Sequence, residues 1–294
     1  MKENYQPIFL NKITDDVVIE ILNAIIPVFK KLKIDYFVVG AFARDVELLA
    51  KGHTDPPARK TRDLDLAVML SSEDEFGRLK EKLTEIDGFE VHSTEPIKLI
   101  YDNRYELDLL PFGEIENEKG QVELKAKKTF TLDMPGFAEV YGSTNTIKTD
   151  QGFDIKVCSL PGVVLLKLIA WDDRKHRAKD IQDIEYIIRN LYLLEIDEII
   201  ETDDDLIDLF QDQNRNFNEY VTSRYIGRKI GTLIKGSEKI QSRVRAILTK
   251  NIQDTENSPM GKIMSFETLE ESINIINQLQ LGIEDILNNE GEES

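Results

Sequence analysis

Asp63 and Asp65, in Thr61-Arg62-Asp63-Leu64-Asp65-Leu66-Ala67-Val68-Met69-Leu70, put two carboxylates one residue apart at the head of an apolar run. A strand shows alternate residues on one face, so both acids point the same way. A cation between them relieves their repulsion, and hard oxygen ligands suit Mg²⁺ or Mn²⁺. Upstream, the apolar strand Tyr36-Phe37-Val38-Val39 runs into Gly40-Ala41 and then a helix. Such a turn lets phosphate oxygens approach backbone amides at a helix start. Arg44, about one turn further on, carries a guanidinium that could clamp the same oxygens bidentately. Downstream, Tyr105-Glu106-Leu107-Asp108-Leu109-Leu110 adds a third acidic strand, with Asp108 and Glu106 on one face. A lone D-x-D or a lone glycine turn says little. Their order, turn then paired acids then a further acid, points to metal-assisted chemistry on a phosphate.

A second cluster begins at Lys167, inside the apolar segment Val163-Val164-Leu165-Leu166-Lys167-Leu168-Ile169-Ala170. An ammonium there must find a partner or snorkel to water, because burying it unpaired is costly. Trp171-Asp172-Asp173-Arg174-Lys175-His176-Arg177 follows, then Lys179-Asp180-Ile181-Gln182-Asp183. Trp171 reads as a packing residue. His53, His92 and His176 have no metal-ligand spacing.

Together these segments resemble the nucleotidyltransferase superfamily typified by DNA polymerase β, with its glycine turn, D-x-D strand and third Asp. In detail they are similar to the AbiEii toxin type found in type IV toxin–antitoxin systems. That family's second signature is a Lys, then an Arg, then a (Lys/Arg)-Asp-x-x-Asp helix. The resemblance spans about residues 16–192. It implies that Asp63, Asp65 and Asp108 hold one or two Mg²⁺ or Mn²⁺ ions and that an NTP is the co-substrate. Gly40, Ala41, Arg44 and Arg174 would lie at the nucleotide and Lys167 on its triphosphate. Asp180 would orient Lys167, Arg174 or the acceptor, while Asp183 could cap or pair structurally. Asp108 is favoured over Glu106 because Leu107-Asp108-Leu109 is the family-like segment. Gly40-Ala41 departs from the usual Gly-Gly or Gly-Ser, so no serine hydroxyl is available to the phosphate.

The implied reaction moves a nucleoside monophosphate onto an acceptor hydroxyl, carried by tRNA, a protein or a small molecule, with an antitoxin protein as a further partner. Two alternatives stay open. One is an antibiotic nucleotidyltransferase acting on an aminoglycoside or lincosamide. The other is a catalytically silent protein-binding module.

The elements that must position these residues follow from periodicity. Residues 16–33 form an amphipathic helix capped by Asp15 or Asp16, followed by strand 35–39 and helix 41–50. Pro56 and Pro57 keep 51–60 out of helix. Strand 63–70 leads to a helix reaching about Ile86, then strands near 89–92, 97–101 and 105–111. Hairpin-like segments lie at 121–131 and 144–158, and helices at 161–173 and 178–192. From Leu194 to Glu219 the chain is dense in acids, which reads as a solvated helix face. Helices at 217–234, 237–250 and 266–288 follow, broken at Gly236 and in the polar Asn251–Gly261 loop. Asn288–Ser294 reads as a disordered tail. The fold class is α/β (α+β): a small mixed-sheet core flanked by helices over 1–193, then an all-helical region over 194–294.

The chain has 294 residues, 41% of them hydrophobic and 31% charged, ordinary for a globular protein. It has no apolar run long enough for a membrane span and no signal-type stretch near its start, and its one cysteine, Cys158, sits in an apolar strand. A cytoplasmic location and a buried thiol are therefore expected. A net charge of −18 opposes broad polyanion binding. Yet Arg44, Lys51, Arg59, Lys60 and Arg62 surround the first motifs, and Lys167, Arg174, Lys175, Arg177 and Lys179 the second. Cations placed that way favour a triphosphate over an extended duplex.

Overall fold

In the computed structural model, residues 7–55, 63–125, 129–174, 177–212 and 215–288 are described. The cations Arg59, Lys60, Arg62 and Lys175, together with His176, the Pro56–Pro57 loop and the tail from 289, lie outside those residues. Contacts group the chain into two compact units. One comprises Met1–Ala50 with Thr54–Ser159, the other Lys51–His53 with Leu160–Ser294.

The first unit contains α1 (Asp16–Leu32), β1 (Tyr36–Val39), α2 (Gly40–Ala50), β2 (Asp63–Met69), α3 (Glu73–Thr84), β3 (Phe89–Val91) and β4 (Lys98–Tyr101). It continues with β5 (Tyr105–Phe112), β6 (Gln121–Lys125), β7 (Thr129–Asp133), α4 (Phe137–Tyr141), β8 (Asn145–Lys148) and β9 (Asp154–Val157). Seven strands make one mixed sheet in the order β3-β4-β5-β2-β1-β9-β8, and β6 and β7 form a separate hairpin. The pairs β2–β5 and β1–β9 are parallel. α1 buries Val18, Ile21, Leu22, Ile25 and Phe29, the stripe its spacing foretells. α3 starts where Ser72 Oγ accepts the Glu75 amide. Cys158 is buried, and burial pushes its thiol well above the ordinary range, so it acts as a small apolar side chain.

The second unit is helical: α5 (Leu160–Asp173), α6 (Ala178–Thr202), α7 (Asp205–Phe210), α8 (Phe217–Ile234), α9 (Glu238–Gln253), α10 (Pro259–Ile263) and α11 (Leu269–Leu287). Among the described residues no helix is long and apolar enough to cross a membrane. The fold class is the mixed sheet core with C-terminal helices that the sequence implies.

Two readings need correction. The helix beginning at 178 does not stop near 192 but runs to Thr202, and α7 follows at once. Asp197, Glu201, Asp204, Asp208 and Asp212 are exposed, as a solvated face requires, but four other acids of this run are partnered. Glu195 pairs with Lys51, Glu198 accepts from Tyr225 Oη at 2.7 Å and Lys229 Nζ at 2.9 Å, and Arg228 binds Asp203 at 3.0 Å and Asp205 at 2.6 Å. Glu195, Glu198, Asp203 and Asp205 thus each meet a cation or hydroxyl from elsewhere in the unit, which eases the acid-dense stretch. The Asn251–Gly261 loop also contains a helix start. Pro259 opens α10, Ser258 Oγ accepts from Gly261 N at 3.0 Å, and Asn251 Oδ1 accepts from Met260 N at 2.9 Å.

Candidate active site

The acids are placed by strand register. β2 and β5 run side by side with Asp63 opposite Glu106 and Asp65 opposite Asp108. Alternation buries Leu64, Leu66, Leu107 and Leu109 on the other face. The four carboxylates therefore share one face in two rows, on strands about 4.8 Å apart. Asp63 is exposed, while Asp65 and Asp108 are half-buried.

Gly40 completes the arrangement. β1 ends at Val39, which lies opposite Asp65, and the chain turns at Gly40 with φ +71° into α2. A Cβ there would overlap Asp65 Oδ2, so the missing side chain makes room for that carboxylate and the positive φ suits glycine. Ala41 follows, half-buried, in the first turn of α2. Arg44 is buried rather than on a surface, and its Nε and Nη2 lie 2.8 and 2.6 Å from Asp45 Oδ1.

Asp108 Oδ1 is buried and, among the described residues, lacks a hydrogen-bond partner. Burial pushes the Asp108 carboxyl above the usual range, the charges of Glu106 and Glu95 add to this, and Lys98 opposes it. Lys98 Nζ lies 3.6 Å from Asp108 Oδ1 and hydrogen-bonds Glu106. Burial alone would lower the Lys98 pKa, but these acids outweigh it and hold it above the usual lysine range. Sequence reading missed Lys98. Its signal was the Asp102-Asn103 turn, since counting back from Tyr101 opposite Tyr105 puts Lys98 opposite Asp108.

Among the described residues, no three His, Cys, Asp or Glu side chains form a ready metal cage. The register pair Asp65–Asp108 supplies two hard oxygen groups, one with a buried oxygen that no described residue hydrogen-bonds, and the missing side chain of Gly40 gives the other its room. Mg²⁺ is commonly held by one or two carboxylates together with phosphates and water, so this donor set fits it.

In the second unit, Lys167 is buried on α5. Its Nζ lies 3.2 Å from Asp180 Oδ1 and 2.5 Å from Asp183 Oδ2, both on α6. The ammonium in an apolar helix is thus satisfied by carboxylates rather than by snorkelling. Arg174, at the end of α5, is exposed. Trp171 packs in the core.

The glycine turn beside paired acids on the mixed sheet and, in the helical unit, the Lys–Asp pair are the features that resemble the nucleotidyltransferases, and the class is shown by the family match. Over residues 39–259 the chain matches the family described as nucleotidyl transferase AbiEii toxin, type IV TA system, and it belongs to that family. No curated protein matches it. Solved structures resemble it at low identity. The antibiotic-resistance factor ANT(2'')-Ia is 14% identical over 67% of this chain and 97% of that one, with a TM-score of 0.38. An antigenic nucleotidyltransferase-like protein from Paracoccidioides brasiliensis is 15% identical over 68% and 94%, TM-score 0.41. The Thermotoga maritima CCA-adding enzyme, complexed with tRNA, is 11% identical over 95% and 84%, TM-score 0.32.

Proposed function

We propose that this chain uses Mg²⁺ or Mn²⁺ to move a nucleoside monophosphate from an NTP onto an acceptor hydroxyl, as the toxin of a type IV toxin–antitoxin pair in the cytoplasm. The observation that carries the reading is the pairing of Asp65 with Asp108 across two parallel strands, beside a glycine whose side chain would collide with Asp65. Asp63, Asp65 and Asp108 would hold the metal, which when bound neutralises triphosphate charge and polarises the reacting oxygens. The Gly40 turn and the first amides of α2 would receive phosphate oxygens. Asp180 and Asp183 would fix the Lys167 ammonium, and exposed Arg174 is free to reach an anionic group by its long side chain. The transfer joins the acceptor oxygen to the α-phosphorus and releases pyrophosphate.

Calorimetry with ATP, GTP, CTP and UTP tests this. Binding should require Mg²⁺ or Mn²⁺ and vanish in Asp63→Ala with Asp65→Ala. Equal binding by the double variant would remove the acids from the site.

A further inference from the structure

A cavity of about 220 Å³ opens in the helical unit where α5, α9 and the start of α10 meet. Trp171 and Ile247, both almost fully buried, make its floor, and Ala246, Lys250 and Pro259, all exposed, stand at its mouth. Ala246, Ile247 and Lys250 follow Arg243 by three, four and seven residues, so the four share one face of α9 with a cation at each end.

The two cations are not equivalent. Arg243 is tied to Asp173 and lies 3.8 Å from Asp172, so its charge is already met. Lys250 makes no hydrogen bond or ion pair among the described residues. The lining is otherwise mostly apolar and gives water few partners, so an apolar group gains by displacing it. The volume is below that of a drug-sized cleft and suits a ligand of one ring. An aromatic ring packs against Trp171 in the offset or edge-on manner such pairs favour.

We propose that this cavity binds a small aromatic anion. Its ring lies against Trp171, Ile247 and Pro259, and its carboxylate or a like group meets Lys250 at the mouth. Every residue of the site belongs to the helical unit, so the site does not depend on the metal reading of β2 and β5.

Trp171 is the chain's single tryptophan, so its emission reports on this cavity alone. The test titrates the full chain with 4-nitrobenzoate, with the neutral 4-nitrobenzyl alcohol and with the cationic 4-nitrobenzylamine, since nitroaromatic rings quench indole emission on contact. Quenching by 4-nitrobenzoate should saturate, with the alcohol about three- to fivefold weaker and the amine weaker still, the worth of an ion pair at an exposed cation. Lys250→Gln should bring 4-nitrobenzoate down to the affinity of the alcohol and leave the alcohol unchanged. Ala246→Phe fills the mouth and should remove saturable quenching by all three, with circular dichroism showing that the helices persist. Quenching that rises without saturation, or that saturates equally in Ala246→Phe, overturns the site. Preference for the amine, or an unchanged preference for 4-nitrobenzoate in Lys250→Gln, overturns the assignment of the anion to Lys250.

Discussion

Gly40 and Asp65 are shaped to each other: the carboxylate of Asp65 fills the space that any side chain at position 40 would need. Gly40→Ala therefore meets both an unfavourable positive φ and a steric overlap with a metal-ligand candidate. The cost should be about 1–3 kcal/mol of stability. Nucleotide binding should fall further than stability, since relief of the overlap swings Asp65 out of register with Asp108. Thermal melting and calorimetry on the one variant check both parts, and a variant with wild-type affinity would separate Gly40 from the site.

Asp108 should behave as a functional acid held at the expense of stability. Burial raises its pKa, so the folded state resists its ionisation. The contribution to stability is full below the ordinary aspartate range and is lost as pH rises through that range toward the raised folded value. Asp108→Asn should accordingly raise the metal-free melting midpoint at pH 7 by about 1–3 °C while abolishing transfer. A lowered midpoint would mean that the Lys98 contact outweighs burial.

Lys167 should prove structural as well as functional. Lys167→Met leaves Asp180 and Asp183 without the ammonium that lies 3.2 and 2.5 Å from them. Removing one partner of a buried pair costs about 3–5 kcal/mol. Adding Asp180→Asn and Asp183→Asn should recover most of that stability without restoring nucleotide affinity. Recovery of both would make the cluster a scaffold only.

Much of this was legible in the chain. Period-two alternation marked β2 and β5 and put their acids on one face, because a half-buried strand writes its geometry locally. Lys98 was not legible in the same way, since its role depends on which strands pair and at what register. The end of α6 was misplaced for a related reason. Glu195, Glu198 and Asp203 look like solvent-facing acids until Lys51, Tyr225, Lys229 and Arg228 arrive from distant parts of the unit. The short helices α7 and α10 carry too few residues for a periodic signal, although Ser258-Pro259 was a usable start for the second. For Lys167, spacing raised the demand for a partner, and only packing named the two aspartates.

The acid network of the helical unit predicts acid sensitivity. Burial pushes Glu198 up, but hydrogen bonds from Tyr225 and Lys229 outweigh it and bring the carboxyl down to about 2. Its stabilisation is present above the ordinary glutamate range and is lost as pH falls toward about 2. Asp205 and Asp285, also held low by arginines, lose theirs in the same direction. The melting midpoint of wild type should drop between pH 5 and 2. Glu198→Gln should start lower at neutral pH and lose less over that interval, and identical slopes would contradict the assignment.

The central claim is nucleotidyl transfer dependent on the acids of β2 and β5. The most direct measurement incubates the pure chain with each α-³²P-labelled NTP, Mg²⁺ and cell extract, then separates RNA, protein and small molecules. Wild type should place label in one fraction, with pyrophosphate released, and EDTA or Asp63→Ala with Asp65→Ala should abolish it. Label incorporated equally by the double variant, or by wild type in EDTA, would contradict the account.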